Sequence, residues 1–165
     1  MSFGYEGKPV IKDISYNFEK GGKYAVVGKS GAGKSTLINL ISGRLRDYAG
    51  TIQVDGDELK SMPATLLNAK IELVDQKSYI FNESIEENIT LGHAKSQALL
   101  SNVVSFLGID KFTNLATKIH EHGSNLSGGQ RQKLALARAL AFHKPILIVD
   151  EVTAGIDSEN AQEIE

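Results

Sequence analysis

Short apolar strands alternating with helices predict an α/β fold, with a mostly parallel sheet and an antiparallel β layer beside it. Three observations carry this prediction. Continuous apolar runs occur at 24–27 and 146–149, apolar and polar residues alternate at 13–18 and 51–54, and helical spacing runs through 99–107 and 130–142.

Taken in order, Ile14, Tyr16 and Phe18 fall on one face of an alternating stretch, the period of a half-buried strand. Gly21-Gly22 is a turn signal, and Tyr24-Ala25-Val26-Val27 reads as a strand covered on both faces. A glycine-rich loop leads into a helix at Thr36-Leu37-Ile38-Asn39-Leu40-Ile41, with Gly43 placed to end it. Thr51-Ile52-Gln53-Val54 alternates and runs into Asp55-Gly56, a hairpin-type turn. Ile71-Glu72-Leu73-Val74 is a further strand. Ser84 followed by Glu87 has the form of a capping box and should open a short helix. Leu99, Leu100, Val103, Val104 and Leu107 keep helical spacing up to Gly108. The run from Gln130 to Phe142 is rich in strong helix formers and is broken by Lys144-Pro145. Ile146-Leu147-Ile148-Val149 reads as a buried strand.

The bulk numbers bound the function classes. The 165 residues suit one domain, and 41% apolar with 23% charged residues is the composition of a globular protein rather than a disordered one. A net charge of −2 advertises no broad basic surface, so no nucleic-acid partner is expected. The absence of cysteine removes disulfides and thiolate metal sites. No apolar run reaches bilayer-spanning length, and Met1-Ser2-Phe3-Gly4-Tyr5 is not a signal peptide. Work at a membrane would need a partner to hold the chain there.

Three motifs carry chemistry. Gly28-Lys29-Ser30-Gly31-Ala32-Gly33-Lys34-Ser35, followed by Thr36, is a full Walker A match between an expected strand and an expected helix. Its glycines let backbone N–H groups point inward at phosphate oxygens, and the helix N-terminus faces the same charge. Lys34 should reach the terminal phosphates and Ser35 should ligate Mg²⁺. The strand 146–149 ends in Asp150-Glu151, at the edge where open α/β sheets bind ligands. There Asp150 would support the Mg²⁺ shell and Glu151 would act as general base on the attacking water. Leu126-Ser127-Gly128-Gly129-Gln130 precedes a helix directly. It offers a hydroxyl, glycine N–H groups and a helix N-terminus, a second anion site; Ser127 also suits a helix cap. His120 and His122 lie two apart with no further ligand cluster, and His93 and His143 read as surface residues near helix ends.

The order and placement of these motifs resemble those of ABC-type ATPases over nearly the whole chain. The resemblance implies a P-loop NTPase (RecA-like) core at 1–76 and 130–165, including an N-terminal antiparallel layer. It implies a helical subdomain at 77–129 ending in the signature motif. It also implies an ATP-binding and ATP-hydrolysing unit that uses Mg²⁺ and works as a head-to-tail dimer on the cytoplasmic side of a membrane, beside a transmembrane domain. Lys34, Ser35, Gln76, Asp150 and Glu151 of one copy would face Ser127 and Gly129 of the other, with Gly128 and Gln130 also in the nucleotide-binding set. Tyr5 matches the adenine-stacking aromatic, Gln76 the Q-loop glutamine that reaches Mg²⁺ and the attacking water, and Asp157 the D-loop aspartate between subunits. Residues 80–89 resemble the segment of exporters that receives coupling helices, and Glu121 resembles an acidic residue of the exporter-type loop before the signature.

The chain departs from the family pattern in two places. Ala154 and Gly155 stand where the D-loop usually has serine and alanine. The sequence given stops at Glu165, before the strand that carries the family's switch histidine. The resemblance therefore implies a fragment of a longer exporter, with an unpaired apolar sheet edge and weak hydrolysis. A nucleotide-binding module with little or no turnover is the alternative. A DNA-repair or ribosomal ABC ATPase fits less well, because no coiled coil separates Lys34 from Leu126 and no second cassette is present. A Ras-like GTPase would need an Asn-Lys-x-Asp motif, which does not occur.

Overall fold

A computed structural model describes residues 1–75, 78–120 and 123–150. The chain divides into two compact units, Met1–Ile71 and Glu72–Glu165.

The first unit opens with β1 (Phe3–Tyr5) and β2 (Lys8–Ile11), an antiparallel pair. Its turn is Glu6-Gly7, both with positive φ (49° and 77°). That conformation matches the right-handed twist of the two strands, as tight hairpins require. Helix α1 (Lys34–Ile41) follows the glycine-rich loop and packs on β2. Ile11, Leu40 and Tyr48 form the buried centre beneath it, with Val10, Leu37 and Ile52 at its margin. The hairpin β3 (Gln53–Val54) and β4 (Asp57–Glu58) turns on Asp55-Gly56, again with two positive φ values (53° and 88°). A short 3-10 turn and helix α2 (Ala64–Lys70) complete the unit.

Among the described residues, the regular structure of the second unit is mostly helical. Helices α3 (Ile85–Thr90) and α4 (Gln97–Phe106) pack on α5 (Gly128–Phe142). Ile85, Ile89, Leu100 and Leu134, each at most 1% exposed, form the centre of that contact. The predicted capping box is present: Ser84 Oγ accepts from the Glu87 N–H at 3.1 Å, and Glu87 Oε2 accepts from the Ser84 N–H at 3.1 Å. His143 closes α5 in the left-handed region (φ 47°), and Lys144-Pro145 link it to the next strand.

Strand β5 (Ile71–Val74) pairs with β6 (Ile146–Val149). The Asp150 N–H donates to the Val74 carbonyl at 2.9 Å, so both C-terminal ends lie at one edge, as in a parallel pair.

Two expected strands differ from prediction. Residues 13–18 and 24–27 lie outside regular strands, and Val27 is 88% exposed. The alternation at 13–18 does place Tyr16 and Phe18 together, but as a ring cluster with Tyr24 at centroid distances of 4.9–5.8 Å. Glu19 N–H donates to the Tyr24 hydroxyl at 2.7 Å, folding the stretch back on itself. Apolar patterning sets which side chains share a face; a strand additionally needs a run of a neighbour's N–H and C=O groups, and at 13–18 the described residues give only the Met1–Ile14 pair (3.0 and 2.6 Å), with no regular strand beside either stretch. For the same reason β6 is not buried as expected. With only β5 beside it among the described residues, Leu147 and Val149 are each 41% exposed.

Candidate functional site: a phosphate-binding loop and a signature turn

The stretch 28–35 wraps tightly at the head of α1. Gly31 (φ 77°) and Gly33 (φ 95°) occupy the left-handed region, and Gly33 is the N-cap of α1. A Cβ on Gly33 would lie 3.1 Å from Val10 and from Ile11, so the loop sits directly on β2. No side chain caps α1. Its first-turn N–H groups, which have no carbonyl within the helix, are therefore open to an anion. Lys34 Nζ stands over the loop and donates to the carbonyls of Gly28 (2.8 Å) and Lys29 (3.1 Å). Ser30 and Ser35 are exposed, Ala32 N–H donates back to Lys29, and Thr36 is half-buried in the first turn. Uncapped first-turn N–H groups beside the Lys34 ammonium and two exposed serine hydroxyls suit a phosphate chain and its metal ion.

The hairpin under the loop also carries Tyr5, which is 48% exposed and meets Phe3 edge-on at 4.9 Å. About half of the residue is thus open to solvent, as an aromatic stacking platform needs.

In the second unit the signature turn is a capping box. Ser127 Oγ accepts from the Gln130 N–H at 3.2 Å, and Gln130 Oε1 accepts from the Ser127 N–H at 2.8 Å. The expectation of a cap thus holds, and capping does not exclude the expected anion site. A hydroxyl that accepts one bond still has its own proton to donate. The N–H groups of Gly128 and Gly129 head a helix of 15 residues. Arg131 Nη1 anchors the turn from below through the carbonyls of Leu126 (2.7 Å) and Gly123 (3.3 Å).

Asp150 leaves the C-terminal end of β6, half-buried, where the motif predicts an acid. Gln76, Glu121, Glu151 and Asp157 lie outside the described residues. Among the described residues, no helix is long and apolar enough to cross a membrane.

Two residues of the second unit escape sequence reasoning. Asn88 is fully buried, and Arg138 is bonded to it from α5. Burial pulls the Arg138 pKa down and the charge of Glu72 pushes it up. The only signal was an arginine flanked by Ala137 and Ala139 in an apolar helix face, a pattern that does not reveal its partner.

Comparison with known proteins agrees with this geometry. The profile of the family described as ABC transporter matches residues 11–154. The chain is 37% identical, over 166 residues, to the mycobactin import ATP-binding/permease protein IrtB of Mycolicibacterium smegmatis, covering 97% of this chain and 29% of that protein. It is 37% identical, over 176 residues, to the ATP-dependent lipid A-core flippase of Vibrio vulnificus, covering 100% of this chain and 30% of the flippase. A solved structure of a bacterial Atm1-family ABC exporter with ATP bound superposes with a TM-score of 0.87 at 34% identity, over 99% of this chain and 30% of that one. The chain therefore spans about 30% of the length of these relatives.

Proposed function

The chain belongs to the ABC transporter family, and from that premise we propose that it is the ATP-binding, ATP-hydrolysing part of an exporter-type ABC transporter. The observation that carries the reading is the glycine-rich loop at the uncapped head of α1, with Lys34 Nζ over its carbonyls. In this reading residues 1–76 and 130–165 form a RecA-like core with a mostly parallel sheet and an antiparallel layer. Residues 77–129 form the helical part that ends in the signature turn.

The residues divide the work. Tyr5 stacks on adenine. The loop N–H groups of 28–34 hold the phosphates, and Lys34 reaches the terminal ones. Ser35 and Asp150, with Gln76, would hold Mg²⁺, which when bound neutralises charge on the phosphate oxygens. Glu151 takes a proton from a water as that water adds to the γ-phosphorus and the bond to the β,γ-bridging oxygen breaks. Ser127, Gly128 and Gly129 of a second, head-to-tail copy close over the γ-phosphate with a hydroxyl, two N–H groups and a helix N-terminus, and Gln130 holds that turn in shape. Asp157 bridges the copies. Closure passes to a transmembrane domain on the cytoplasmic side of a membrane through the stretch 80–89, and that domain chooses the cargo.

The test is ATP hydrolysis against chain concentration, with Lys34→Ala as the blank. Turnover that rises faster than linearly supports a two-copy engine. Binding without turnover above the blank assigns this chain the alternative role of a nucleotide-binding module.

A further inference from the structure

The guanidinium of Arg138 reaches out of the middle of α5 and ends on a single stretch of chain. Its Nε donates to the Asn88 carbonyl at 2.8 Å, Nη1 to the Tyr79 carbonyl at 3.1 Å, and Nη2 to Asn88 Oδ1 at 3.4 Å. It also lies 5.3 Å from the centroid of the Phe81 ring. Asn88 closes the stretch on itself. Its Oδ1 accepts from the Phe81 N–H at 2.8 Å, and its Nδ2 donates to the carbonyls of Phe81 (2.9 Å) and Ser84 (3.0 Å).

A leucine at position 138 would hold α3 against α5 by packing alone and would avoid desolvating a charge. What the arginine adds is direction, because its planar fork fixes distance and angle at once. The same stretch is tied on the other side of the signature turn. Ile119 N–H donates to the Glu83 carbonyl at 2.9 Å, and Ser84 bridges Lys118. Residues 79–88 are thus fastened both before and after 127–130.

We propose that Arg138 is a positioning residue that makes the stretch 79–88 and the signature turn one rigid piece, so that displacement of either is carried to the other. The inference rests on reading 127–130 as the turn that closes on nucleotide, and it names the residue that transmits that closure.

Amide hydrogen exchange on the full chain and on Arg138→Lys tests it. Lysine keeps the charge and loses the fork. Without nucleotide, the Phe81 amide should exchange about tenfold faster in the variant, while Leu100 in α4 is unchanged. Equal rates at Phe81, or a rise of the same size at Leu100, overturn the proposal. With Mg-ATP, the wild type should gain protection at Gln130 and Phe81 together, and the variant at Gln130 alone. Joint protection in the variant also overturns it. A wild type with no ATP-driven protection at Gln130 contradicts the proposed function instead, and the nucleotide-free arm still decides the role of Arg138. If Arg138→Lys unfolds, Arg138→Gln, which keeps one N–H donor group and loses the planar fork, serves with the same readouts.

Discussion

Lys34 and Gly28 close the glycine-rich loop on itself, the Nζ of the first donating to the carbonyl of the second across 2.8 Å. The same ammonium holds Lys29 at 3.1 Å, so one side chain both shapes the loop and supplies its charge.

Replacing it should therefore cost twice. Lys34→Ala should weaken ATP binding by at least tenfold, since a charge-assisted hydrogen bond contributes about 1.5–3 kcal/mol. Titration calorimetry with Mg-ATP measures this. An affinity within twofold of wild type would place the phosphates elsewhere.

Gly33 is constrained from two directions, by a φ of 95° and by Val10 and Ile11 at 3.1 Å from any added Cβ. Gly33→Ala should lower stability by about 1–2 kcal/mol, from left-handed strain with little room to relax. Urea unfolding should show it, and ATP affinity should fall in the same variant because the head of α1 shifts.

The Ser127 hydroxyl caps α5 and, in the proposed dimer, faces the partner's γ-phosphate. Ser127→Ala should cost about 1 kcal/mol of stability through the lost cap. It should leave ATP affinity of the isolated chain intact and lower turnover at saturating ATP. Thermal unfolding, calorimetry and steady-state kinetics separate the three effects.

Glu87 carries a pH dependence. The Ser84 hydroxyl, at 2.8 Å, and then the Ser84 N–H hold its carboxyl below the usual carboxylate range. A depressed folded value adds stability that is present above the unfolded pKa and is lost as pH falls through the folded one. The unfolding midpoint of wild type should exceed that of Glu87→Gln near neutral pH. The gap should close in acid, below the ordinary carboxylate range. A gap independent of pH would contradict the charge-assisted cap.

Much of this was legible because local chemistry decides it. Asp55-Gly56 is a hairpin turn by backbone conformation alone, and Ser84 with Glu87 caps a helix within three residues of itself. The Walker A and signature stretches read correctly as loop and helix heads for the same reason. Apolar pattern alone did not decide 24–27, since a strand needs a partner's hydrogen-bonding groups. The hairpin at Glu6-Gly7 carried its signal in one glycine and went unread. The contact of Gly33 with Val10, 23 positions away by numbering, and that of Arg138 with Asn88, 50 away, are tertiary facts that no local window holds.

The central claim is that each ATP site takes its loop from one copy and its signature turn from another. Mixing Lys34→Ala with Ser127→Ala chains tests it most directly, because every mixed pair then holds one intact site and one doubly damaged one. The account predicts that the mixture recovers roughly a quarter of wild-type turnover by random pairing, well above either variant alone. A mixture no more active than the mean of its two components would contradict it.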